Sequence, residues 1–238
     1  SAAVNSNSVY MVDTLAPSVS LSFNVASLKA GETATLSITA NDKTGTSFTW
    51  NGTAGDLTVS GGTLSAIGPF VLSGANYVST ATFTPTAGST TAGVVSTASA
   101  VYTDLAGNPG QVGSSASVSI DTSVPTLTNM NITGASGILS NTLNAGDVVQ
   151  ITATFSEAVV VNTSGGSPKV SLNVGGSGDA AVYVSGSGTT DLLFNYTVVA
   201  GQNDANGLSY AANALVLNGG TIKDSSGNSA VITAIARA

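Results

Sequence analysis

The chain has 238 residues, 42% of them hydrophobic, which is too apolar for disorder and suits one large domain or two ordinary ones. Only 7% are charged, with 12 acids against 5 bases, so nothing here neutralises a nucleic-acid backbone or docks by charge on an anionic membrane. Cysteine and histidine are absent, which excludes a disulfide framework, a thiolate nucleophile, a Cys-type zinc site and a histidine general base.

Residues 1–12 belong to no repeat. Val9-Tyr10-Met11-Val12 before Asp13 parallels Ser117-Val118-Ser119-Ile120 before Asp121, and is expected to be the last strand of a preceding module. Asp13-Thr14-Leu15-Ala16-Pro17 then opens a unit that recurs at Asp121-Thr122-Ser123-Val124-Pro125. Ala30-Gly31-Glu32-Thr33 returns as Ala145-Gly146-Asp147-Val148, and Asp104-Leu105-Ala106-Gly107-Asn108 as Asp224-Ser225-Ser226-Gly227-Asn228. Three ordered landmarks predict two tandem modules, 13–120 and 121–238. Period-two alternation fills the space between them. Ala34, Leu36, Ile38 and Ala40 alternate with Thr35, Ser37 and Thr39; Val149, Ile151, Ala153 and Phe155 alternate with Gln150, Thr152 and Thr154. In the first module strands are expected near 18–23, 34–40, 47–50, 57–64, 77–84, 98–103 and 115–120. In the second they are expected near 126–132, 148–155, 168–174, 180–184, 191–199, 215–222 and 230–235, with one helical turn possible at 209–215. Seven short strands per module, split by Gly, Asn, Asp and Ser clusters, predict an all-β chain of two tandem immunoglobulin-like Greek-key β-sandwiches.

Several segments resemble a known family. Phe155-Ser156-Glu157-Ala158-Val159, Leu172-Asn173-Val174-Gly175-Gly176, Tyr183-Val184-Ser185-Gly186-Ser187-Gly188 and Asp224-Ser225-Ser226-Gly227-Asn228 resemble the bacterial Ig-like repeats of giant type-I-secreted, RTX-type surface adhesins. Leu28-Lys29-Ala30-Gly31-Glu32-Thr33 and Ala81-Thr82-Phe83-Thr84-Pro85 resemble a related Ig-like subfamily. Where the family has a Ser-Glu-Ala turn after the second strand, the first module has Asn41-Asp42-Lys43, so the residues that replace that turn are open. The resemblance implies a secreted or cell-surface location, calcium-dependent rigidity and a spacer role between the cell and its target, with neighbouring modules of the same chain as partners and a monomeric excerpt.

Topology gives a separate argument for a site. In such a sandwich the entry segment, the loop after the second strand and the loop before the last strand share one end. That end gathers Asp13, Asp42, Asp104 and Asn108 in the first module, and Asp121, Glu157, Asp224 and Asn228 in the second. Carboxylates about 4 Å apart repel by roughly 4 kcal/mol per pair at an effective dielectric of ~20. A cation would relieve that, and hard oxygen donors favour Ca2+. Zinc would want nitrogen or sulfur. Asp-x-x-Gly-Asn is equally a self-capping turn, and Asp-Thr-x-x-Pro a plain linker. Asp204, with Asn203 and Asn206, should lie at the opposite end with Asp147 and reads as a turn.

No catalytic constellation stands out, and no enzyme is expected. Lys29, Lys43, Lys169 and Lys223 sit in no Ser-x-x-Lys motif. Gly175-Gly176-Ser177-Gly178 lacks the strand-to-helix context of a phosphate loop. Trp50 and the tyrosines read as packing. The expected function is a calcium-rigidified extender. The alternatives are an Ig-like module that itself contacts sugar or protein, and an accessory domain of a secreted hydrolase.

Overall fold

The computed structural model describes residues 12–42, 48–49, 56–98 and 100–233. The strand expected over 1–12 lies, apart from Val12, outside the described residues, as do Lys43, Trp50 and Asn51. The chain divides into two units between Thr122 and Ser123. Among the described residues every regular element is a strand.

The first unit runs β1 (Ser18–Phe23), β2 (Ser27–Lys29), β3 (Ala34–Asn41), β4 (Phe48–Thr49), β5 (Leu57–Ser60), β6 (Gly62–Leu64), β7 (Val71–Ser73), β8 (Asn76–Pro85), β9 (Gly93–Thr97), β10 (Thr103–Asp104) and β11 (Ala116–Asp121). One sheet has the order β1-β3-β8-β6, with β7 also on β8; the other has β2-β11-β9-β5; β10 and β4 form a two-stranded ribbon. β1 pairs antiparallel with β3, whereas β2 pairs parallel with β11 through Ile120 and Leu28. The first two strands thus serve one sheet each. Alternation on β3 places Ala34, Leu36, Ile38 and Ala40 in the core, each at most 2% exposed. Burying each of the larger aliphatic side chains is worth ~1.5–3 kcal/mol. Phe83 of β8, fully buried, meets Phe23 edge to face at 5.2 Å.

The second unit runs β12 (Leu127–Ser136), β13 (Val148–Asn162), β14 (Lys169–Val174), β15 (Ser177–Ser185), β16 (Thr189–Thr197), β17 (Leu215–Val216) and β18 (Thr221–Lys223). The order is β12-β13-β16-β15-β14-β17, with β18 on the far half of β13. This curled set closes over Val149, Ile151, Ala153, Phe155, Leu192 and Phe194, all at most 2% exposed. The fold is all-β, with two Ig-like β-sandwich units.

Several expected strands take a different form. The stretch 57–64 is two strands in different sheets. Gly61, at φ 72°, makes the crossover, and a Cβ there would lie 2.4 Å from the Ala92 carbonyl oxygen. The strand expected at 98–103 lies at Gly93–Thr97 instead. Its inward positions include Gly93 and Thr97, which hide the apolar alternation, and Ala100 then turns the chain at φ 63°. The stretch 215–222 breaks at Asn218 (φ 50°) and Gly219 (φ 87°). Segment 209–215 forms no helix: Asn173 N–H donates to Ser209 O and Ser171 N–H to Ala214 O, and between these two contacts with β14 the chain turns at Ala212–Asn213, with Asn213 at φ 60°. Of 230–235, Val231 forms an isolated parallel bridge to Thr126, and 234–235 lie outside the described residues.

Candidate metal centre

The site of the first unit follows from strand parity. Residues 34, 36, 38 and 40 of β3 face the core, so Asp42, two further on, also turns inward at the open end of the sandwich. It is 5% exposed. Asp104 ends the short β10 and is 3% exposed. Asp13 arrives on the entry segment, where its Oδ1 accepts the Leu15 N–H at 3.0 Å. The fully buried Pro17 pins that segment, and its carbonyl accepts the Gln111 N–H at 3.3 Å. One carboxylate oxygen from each of Asp13, Asp42 and Asp104 lies within 4.8 Å of the others. At that spacing and an effective dielectric of ~20, each pair of charges repels by about 3.5 kcal/mol.

Asn108 organises the cluster. Its backbone N–H donates to Asp104 Oδ1 at 2.8 Å, and its Nδ2 to Asp104 Oδ2 at 2.8 Å. Nδ2 also donates to the Asp13 carbonyl at 3.2 Å. The main chain closes the turn, with Asp104 N–H on Asn108 O and Gly107 N–H on Asp104 O, at 3.3 and 3.2 Å. Gly107 supplies the required φ of 87°. Asn108 is therefore a bracket between Asp13 and Asp104, with Oδ1 left as the atom it can offer to an ion. All four residues expected at this end of the first module are brought together.

Of the second set, Asp121 closes β11 in the first unit, and Glu157, Asp224 and Asn228 belong to the second. Asp224 and Asn228 repeat the clasp: backbone N–H to Oδ1 at 2.8 Å, Nδ2 to Oδ2 at 2.7 Å, both residues at most 5% exposed. Gly227 has φ 92°. Glu157 sits where the register of β13 on β16 shifts between Thr154 and Val159. Its Oε1 accepts the Ser123 hydroxyl at 3.3 Å. That partner occupies an x of Asp-Thr-x-x-Pro, a position the repeat does not mark. Two further acids serve turns: Asp147 Oδ2 accepts Asn144 N–H at 2.7 Å, and Asp204 Oδ1 accepts Asn206 N–H at 3.3 Å.

A polar chain in the second unit has no signature in sequence. Gln202 Nε2 donates to Asp179 Oδ2 at 2.6 Å, while its Oε1 accepts the Tyr196 hydroxyl at 2.5 Å. Its spacing follows no motif, because the loop after β16 and the edge of β15 meet only in the fold.

No curated protein matches the chain. A solved structure of FdeC, an Escherichia coli adhesin, is similar at 18% identity and a TM-score of 0.39, over 90% of this chain. This chain spans 61% of that one. The first unit, which carries the Asp13–Asp42–Asp104 cluster, matches over residues 13–122 the family described as the bacterial Ig-like domain.

Proposed function

We propose that the chain is a pair of extender modules from a bacterial surface adhesin, stiffened by calcium at the entry end of the first sandwich. The convergence of Asp13, Asp42 and Asp104 carries this reading. Ca2+ takes about 6–8 oxygen ligands from carboxylates, amide oxygens and main-chain carbonyls. Three carboxylates and Asn108 Oδ1 fit that donor set, and with no His or Cys in the chain zinc has no preferred ligand. Among the described residues three carboxylates converge only at Asp13, Asp42 and Asp104, so the expected second set of Asp121, Glu157, Asp224 and Asn228 adds nothing beyond its Asp224–Asn228 turn. Three carboxylates that could hold an ion, beside a self-capped turn, support a mechanical role.

Calorimetric titration of the chelator-stripped protein tests the site. Extracellular modules bind calcium at ~10⁻⁴–10⁻³ M, so heat and an upward shift in thermal midpoint are expected in millimolar calcium. Neither signal at ~10 mM ends the metal reading. Small-angle scattering with calcium and with chelator tests the stiffening, and identical maximum dimensions in both end it.

A further inference from the structure

The sequence holds three Asn-Gly pairs, Asn51-Gly52, Asn206-Gly207 and Asn218-Gly219, of which the last two lie among the described residues. Asn-Gly is the dipeptide in which the next main-chain nitrogen reaches the side-chain amide most easily, because glycine carries no Cβ to obstruct it. The two described pairs are chemically identical, and both asparagines are exposed. Their surroundings differ.

Asn218 and Gly219 are the central residues of a tight turn between β17 and β18. Both have positive φ, 50° and 87°, and Gly220 N–H closes the turn on Leu217 O at 2.9 Å, the arrangement of a type I′ turn. The Asn218 side chain is tied down, its Nδ2 donating to Ser167 O at 3.1 Å. The turn backbone is packed as well: a Cβ at Gly219 would lie 2.3 Å from Gly165 O, and one at Gly166 would lie 1.9 Å from Asn218 O. Asn206 and Gly207 are in the loop between β16 and β17. A Cβ at Gly207 would meet nothing within 4 Å. Asn206 is bonded through its main-chain N–H, to Asp204 Oδ1 at 3.3 Å, and not through its carboxamide.

We propose that Asn206 is a site of spontaneous deamidation and that the fold protects Asn218. The Gly207 main-chain nitrogen loses its proton to hydroxide and attacks Asn206 Cγ. A new C–N bond closes a five-membered imide, and the side-chain nitrogen leaves as ammonia. Water then opens the imide at either carbonyl, giving aspartate or isoaspartate. Each event adds one carboxylate two residues from Asp204. Reaction requires a near-attack arrangement of nitrogen and carbonyl carbon. The Asn206 loop can sample it, whereas Asn218 must first break its hydrogen bond to Ser167 and leave its turn.

Incubating the full chain at mildly alkaline pH, followed by peptide mass mapping, tests this. Native protein should deamidate at Asn206 faster than at Asn218 by roughly tenfold, a factor within reach of one broken hydrogen bond. In concentrated urea the two rates should converge. Asn206→Gln, an exposed change, should remove the fast acidic species from native protein. Equal native rates, faster loss at Asn218, a difference that persists in urea, or an acidic species that survives in Asn206→Gln would each overturn the assignment.

Discussion

Asp42→Asn separates the electrostatic cost of the acidic cluster from its benefit. The replacement keeps the shape of a side chain that is 5% exposed and removes one of three charges within 4.8 Å. Two repulsions of about 3.5 kcal/mol each disappear at an effective dielectric of ~20. Asp13 is only partly buried, so water and salt reduce the sum to about 1–3 kcal/mol. In chelator, the variant should therefore be more stable than the parent by that amount. In calcium the parent recovers a comparable amount and the gap closes. An ion held at ~10⁻⁴–10⁻³ M and supplied at ~10 mM contributes RT ln(1 + [L]/Kd), about 1.4–2.7 kcal/mol. The parent gains this and the variant gains little. Scanning calorimetry reads both, at roughly 4 °C or more per kcal/mol for a unit of this size. A variant destabilised in chelator, with the calcium shift of the parent retained, would refute both the repulsion and the coordination.

Two further outcomes follow from packing and burial. A Cβ at Gly110 would lie 2.1–2.4 Å from the Tyr102 ring, so Gly110→Ala should cost ~1–3 kcal/mol by overpacking, seen as a lower urea midpoint at unchanged m; an unmoved midpoint contradicts the packing. Burial pushes the Tyr102 phenol above its ordinary value, and its hydroxyl donates to Gln111 O at 2.6 Å. The folded state thus favours the neutral form: its stability is complete below about pH 10 and falls as pH rises through the elevated value. Tyr102→Phe should flatten part of that alkaline slope in chemical denaturation, although Tyr196, raised by the same desolvation, keeps the rest.

Sequence carries the fold where one residue type marks one face. Val149, Ile151, Ala153 and Phe155 could be assigned inward because Gln and Thr separate them, and each is at most 2% exposed. β9 was illegible for the converse reason: its inward residues are Gly93, Val95 and Thr97, of which only one announces a core. The break at Gly61 needed knowledge of Ala92, thirty-one positions away and close only in the fold. Within the site, Asp104 and Asn108 were legible as a local turn. Asp42 was legible only through topology, since nothing in Asn41-Asp42-Lys43 looks like a ligand loop. The bond from Asn108 Nδ2 to the Asp13 carbonyl spans 95 positions and leaves no local mark.

The duplicated clasp bears on how such a centre works. Asp224 and Asn228 adopt the geometry of Asp104 and Asn108, each with both carboxylate oxygens held by the partner asparagine. The turn thus completes its own hydrogen bonding and needs no ion to form. Asp104 is held by its clasp, and Asp42 follows directly on the last residue of β3, buried at 5% exposure. Asp13 comes from the entry segment, where its carbonyl accepts Asn108 Nδ2 and its Oδ1 accepts the Leu15 N–H. If an ion is bound there, its removal should leave the core of the first unit folded, because the turn satisfies its own hydrogen bonds. The proposed ion would then act on the entry segment of that unit rather than on whether the unit folds.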